Sequence, residues 1–159
     1  MTARGATILR RFGVPIEILL VEDNPGDVRL TIEALADAKV SHHLTVAPDG
    51  VEALAMVRGN PPHTGAGHFD LILLDLNLPR KNGSELLADL KSDPVLKRIP
   101  VIVLTSSKAE ADIRKTYDLH ANCYITKPIG FEQFTHVVRS IKDFWLSVVT
   151  LPGGKIHDQ

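Results

Sequence analysis

Three apolar runs limit what this chain can fold into: Ile16–Val21 (IEILLV), Leu71–Leu74 (LILL) and Val101–Leu104 (VIVL). Each is too short to be a stable helix, and each gives way at once to polar or turn residues. That is the pattern of strands buried on both faces of a parallel sheet. Thr45–Ala47 and Cys123–Ile125 read as weaker strands suited to its flanks. Between the runs, apolar residues recur at helical spacing: Val28, Ile32, Leu35 and Ala36; Val51, Leu54 and Ala55; Leu86, Leu87 and Leu90; Ala109, Ile113 and Tyr117. Five strands alternating with amphipathic helices predict an α/β domain. Asp27 is expected to cap the first helix and Asp49 the second, which Gly59 and Asn60 then stop. Gly59–His68 (GNPPHTGAGH) reads as a surface loop within the domain.

The 159 residues suit one domain, expected over 15–149, with aperiodic tails at 1–14 and 150–159. The second tail is far shorter than the roughly 50 residues a minimal output domain needs. A net charge of −1 gives no electrostatic footprint for nucleic acid. No run reaches the roughly 18 apolar residues of a membrane span. The single cysteine, Cys123, excludes an internal disulfide framework and reads as a small core residue, so a reducing, cytoplasmic setting is expected. Seven histidines, among them His42, His43, His63 and His68, match no compact zinc spacing. Arg4, Arg10 and Arg11 make the N-terminal tail basic.

Chemistry belongs at the carboxyl ends of parallel strands. Glu22 and Asp23 follow the first run directly and Asp75 follows LILL. If these strands are neighbours, the three carboxylates converge, and like charges held together call for a compensating cation. A hard divalent ion with oxygen ligands fits that inventory. Taken alone, an acidic pair after a strand would be read as a helix cap; a third acid at another strand end favours a site. Thr105 and Ser106 follow VIVL and Lys127 follows the fifth strand, offering hydroxyl donors and a compact positive charge for a phosphoryl group. Together the strand ends read as a place where phosphate is transferred onto a carboxylate.

Four motifs in order, LLVEDN, LILLDLNLPRKNG, VIVLTSS and YITKPI, carry a resemblance over Ile16–Val148 to the response-regulator receiver domains of two-component signalling. The resemblance implies a doubly wound, flavodoxin-like sheet with strand order 2-1-3-4-5. It implies Asp75 as phosphoacceptor and a Mg²⁺ site, for which Mn²⁺ substitutes, built from the acidic pair Glu22 and Asp23, Asp75 and the main-chain carbonyl of Asn77. Lys127, Thr105 and Ser106 would contact the phosphoryl group, and Lys127–Pro128 would be a cis bond. Thr105 and Tyr124 would form the switch, acting on the face made by the fourth helix, fifth strand and fifth helix. Asn77 and Ser107 occupy places that tune water access in that family, and Pro79 and Gly83 are expected to shape the loop over the site. The protein would act by its own phosphorylation and dephosphorylation and not as a classical enzyme. A dehalogenase-type phosphatase would need an acid where Asn77 stands, and a flavin binder would not place EDNPGD beside a phosphate.

The last helical pattern adds partners. Phe134, Val137, Val138, Ile141, Phe144, Trp145 and Val148 keep helical spacing beyond what a monomer readily covers, so a homodimer is expected through Phe134, Val138, Ile141, Phe144, Trp145 and Val148 and a C-terminal arm. The ending FWLSVVTLP, with EDNPGD and LDLNLPRKNG, is similar to stand-alone receivers that accompany bacterial phytochrome kinases. That similarity implies a phytochrome-type histidine kinase as phosphodonor. The rival reading is a relay that passes the phosphoryl group on to another histidine domain.

Overall fold

The computed structural model describes residues 15–36, 41–60 and 68–152. The basic tail and His63 lie outside these residues, as does most of the Gly59–His68 loop. Five parallel strands, β1 (Ile16–Val21), β2 (His42–Ala47), β3 (Leu71–Leu74), β4 (Val101–Thr105) and β5 (Cys123–Thr126), form one sheet in the order 2-1-3-4-5. The expected fold is therefore present. Among the described residues, α1 (Pro25–Leu35), α2 (Gly50–Arg58), α3 (Gly83–Ser92) and α4 (Glu110–Asp118) connect the strands and α5 (Phe131–Ile141) follows the last of them. A 3₁₀ turn, Leu96–Arg98, precedes β4, and a π-helical turn, Lys142–Leu146, extends α5.

Apart from Glu17, the central runs are apolar because alternate residues serve different layers. Leu19, Val21, Ile72, Leu74, Val101 and Val103 join Leu86, Leu87 and Leu90 of α3 and Ala53, Met56 and Val57 of α2 in one core. Ile18, Leu20, Leu71, Leu73, Ile102 and Leu104 meet Ala34 and Leu35 of α1 and Phe134, Val138 and Ile141 of α5 in the other. The edge strand β2 starts three residues earlier than its composition suggests. Pairing with β1 from Ile16↔His42 onward supplies backbone bonds, and an edge tolerates two histidines.

Several local expectations are corrected. Asn24, not Asp27, caps α1: its side chain accepts from the Asp27 N–H at 3.0 Å, which places Asp27 inside the first turn. Asp49 does cap α2, accepting from Glu52 N–H at 2.8 Å, and Gly59 closes that helix at φ 68°. The stripe Ala109, Ile113 and Tyr117 is not a buried face, because Tyr117 is exposed and Thr116 is the only buried residue of α4. This helix lies beside β5, all of whose residues are only half-buried, so there is little apolar surface for it to cover. Phe134, Val138 and Ile141 are buried in their own domain and are not free to meet a partner. Packing also runs past residue 149, since Leu151 is buried in the same core.

Candidate functional site

Register explains why the acids meet. Val21 pairs with Leu74, and the Asp75 N–H donates to the Val21 carbonyl at 3.0 Å, so the residues that follow the two strands stand side by side. Carboxylate oxygens of Glu22, Asp23 and Asp75 lie within 4.8 Å of one another, the one such group of possible metal ligands among the described residues. Glu22 and Asp75 are buried and Asp23 is exposed. On the far side, Thr105 pairs with Thr126, and the Lys127 N–H donates to the Thr105 carbonyl at 2.7 Å. That bond continues the ladder one residue past β5 and sets Lys127 at the sheet edge. Its ammonium donates to Glu22 Oε1, to Asp27 Oδ2 at 2.8 Å and to Asp75 Oδ2 at 3.1 Å.

The loop after β3 is held from both ends. Asn77 N–H donates to Asp75 Oδ1 at 3.2 Å, and Gly83 N–H donates to the Leu76 carbonyl at 3.0 Å. The start of α3 therefore sits against the backbone of Asp75. Asn82 and Glu85 form a capping box there, each side chain accepting from the other's backbone N–H.

One cation shared among several carboxylates cannot neutralise them all. Burial pushes Glu22 from 4.5 up to about 7, and the Asp75 charge adds to this, against the opposing pull of Lys127. Burial also works against the Lys127 charge. Its hydrogen bonds to Asp27 and Glu22, and the charges of Glu22 and Asp75, outweigh that and hold it above the ordinary lysine value. The site thus carries surplus negative charge, which a divalent cation would relieve with oxygen ligands already in place.

The Glu22 shift has a measurable sign. A carboxyl whose pKa is raised on folding favours the folded state most below 4.5, and that contribution is lost as pH rises through 7. In chelator, wild-type stability is expected to fall more steeply between pH 5 and 8 than that of Glu22→Gln, read from denaturant midpoints. Equal slopes would refute the assignment.

Thr105 is fully buried, and its Oγ1 has no hydrogen-bond partner among the described residues. A buried hydroxyl left unpaired costs about 1–3 kcal/mol, and such groups often await a ligand. Ser106 is exposed just beyond it. Tyr124 is half-buried on β5, and its hydroxyl donates to the Ser107 carbonyl at 2.9 Å, tying β5 to the loop that leads into α4. Burial raises the Cys123 thiol, the opposite of activation.

The structure brings Glu22, Asp23, Asp75 and Lys127 together. Of the expected interface residues, Phe134, Val138 and Ile141 lie in α5, Phe144 and Trp145 in the π-helical turn, and Val148 just beyond it; none is in this cluster. Sequence reasoning missed Asp27 as a partner of Lys127. The available signal was Asn24 three residues earlier, an equally good cap that leaves the Asp27 carboxylate unassigned.

Comparison with known proteins gives a consistent result. The family model described as response regulator receiver domain matches residues 18–139. The response regulator Rcp1 of Synechocystis is 46% identical over 138 residues, covering 87% of this chain and 94% of that protein. The crystal structure of the phosphorylated cyanobacterial phytochrome response regulator RcpA superposes with a TM-score of 0.85 at 52% identity, covering 87% of this chain and 99% of that one. The Mn²⁺-bound form of Rcp1 also superposes with a TM-score of 0.85, at 46% identity and the same coverage. No helix among the described residues is long and apolar enough to cross a membrane.

Proposed function

Because the chain belongs to the response regulator receiver family, we propose that it takes a phosphoryl group from a phytochrome-type histidine kinase onto Asp75 and signals through the face formed by α4, β5 and α5. The observation that carries this reading is the placement of the Lys127 ammonium 3.1 Å from a buried Asp75 carboxylate that lies within 4.8 Å of two further acids. The likeness to RcpA and Rcp1 supports a phytochrome-type donor.

The residues fit a divalent cation. Glu22, Asp23 and Asp75, with the main-chain carbonyl of Asn77, would hold Mg²⁺ or Mn²⁺, and the cation would neutralise charge on the phosphoryl oxygens. The chain's own groups do the rest. An Asp75 oxygen attacks phosphorus, an O–P bond forms as the donor's N–P bond breaks, and the imidazole leaves with the electron pair. Asn77 N–H orients the acceptor through Asp75 Oδ1. Lys127 supplies positive charge to a phosphoryl oxygen, and the Thr105 hydroxyl, unpaired among the described residues, gains a partner, drawing on the loop that Tyr124 ties to β5. Incubation with acetyl phosphate and Mg²⁺ is expected to add one phosphoryl group by intact mass. Labelling that continues undiminished in chelator would refute the cation's part.

The homodimer is proposed on fewer residues than the sequence suggests. Phe144 and Val148 are 54% and 69% exposed. Trp145 packs edge-on against Phe144, ring centroids 6.0 Å apart, and both border an apolar groove with Cys123, Ile125 and Val137. Large apolar side chains left out of the core in this way are typical of an interface. Replacing Phe144 and Val148 together by Glu is expected to convert dimer to monomer in sedimentation equilibrium without lowering thermal stability. An unchanged mass would remove this face from the interface.

A further inference from the structure

An ammonium has three N–H donors, and three carboxylates take those of Lys127: Glu22, Asp27 at 2.8 Å and Asp75 at 3.1 Å. These partners are not equivalent. Glu22 and Asp75 belong to the cluster of acids where a divalent cation would compete with the ammonium for the same oxygens. Asp75 also loses acceptor strength once one of its oxygens is bonded to phosphorus. Asp27 stands outside that cluster, in the first turn of α1. The α1 cap engages only its backbone N–H, through Asn24 at 3.0 Å, so the carboxylate is not needed there.

We infer that Asp27 is the positioning residue for Lys127: its carboxylate keeps the ammonium at the sheet edge while a cation occupies Glu22 and Asp75, leaving a donor free to swing from Asp75 to a phosphoryl oxygen. The phosphoryl step rests on the receiver reading given above; the anchoring of the ammonium does not. The Lys127 side chain is 9% exposed, so it cannot fall back on bulk water when its other partners are withdrawn. Asp27 is accessible enough to follow a small displacement, at 29% exposed.

The test records the Lys127 ammonium resonance in ¹⁵N-labelled protein, with Mg²⁺ or with chelator, beside the rate of acetyl-phosphate labelling. In wild type the resonance is expected to persist on adding Mg²⁺. In Asp27→Asn it should persist in chelator, where Glu22 and Asp75 still hold the lysine, and broaden away with Mg²⁺; labelling should slow on the order of tenfold. Asp27→Glu should restore both. A purely helix-stabilising role would lower the melting temperature without either Mg²⁺-dependent change, and that result overturns the inference. So does a wild-type resonance that vanishes when Mg²⁺ is added. If wild type keeps the resonance but takes no label, the receiver reading fails and the anchor stands.

Discussion

Asp75→Asn is expected to lose phosphoryl labelling by more than about a hundredfold while the protein stays folded. The residue is 7% exposed and sits where β3 ends, its two carboxylate oxygens bound by Lys127 and by Asn77 N–H. Asparagine keeps the shape and one carbonyl acceptor but has no carboxylate to attack phosphorus. The substitution also removes one negative charge from a cluster that already carries too many, so thermal stability in chelator should hold or rise. Intact mass after acetyl-phosphate treatment, with peptide mapping, decides the matter. Persistent single labelling of the variant would place the acceptor elsewhere, with Glu22 and Asp23 the nearest candidates.

Gly83→Ala is expected to damage fold and site together. Gly83 opens α3, and a Cβ built there would fall 2.4 Å from the Asp75 carbonyl oxygen and 2.6 Å from Leu76 Cα. Both obstacles are backbone, so neither can rotate aside. Its φ is not in the left-handed region, which makes close approach the reason for glycine here. Overpacking of this kind costs about 1–3 kcal/mol, a drop of several degrees in melting temperature for a domain of this size. Because the displaced atoms belong to Asp75, the proposed phosphoacceptor, and its neighbour, labelling should slow as well. A variant with wild-type melting and labelling would mean that α3 can slide away from Asp75 freely.

The sheet was legible because LILL and VIVL are apolar at every position, a pattern that only a strand covered on both faces accommodates. Their polar successors, Asp75 and Thr105, then had to lie on one edge. Lys127 was legible for the same reason. Asp27 was not, since an acid in the first turn of a helix has an ordinary local use, and only the fold shows that Asn24 has taken it. Phe134, Val138 and Ile141 were misassigned to an interface because helical periodicity reveals an apolar face without revealing what covers it. The sheet's second layer covers it here. Ala109, Ile113 and Tyr117 misled in the opposite direction, presenting an apolar spacing beside a strand with little surface to bury.

That last helix differs from its neighbour in what fastens it down. Leu86, Leu87 and Leu90 hold α3, at roughly 1.5–3 kcal/mol for each leucine fully withdrawn from water, whereas α4 buries no large apolar side chain. On the proposed reading, a phosphoryl group on Asp75 would have only a modest free energy available for rearrangement. Spread evenly, it would be absorbed by the well-packed layers; directed at the least anchored helix, it would go furthest. The domain is a frame of well-anchored layers with one lightly fastened panel, and on the proposed reading the message would leave by that panel.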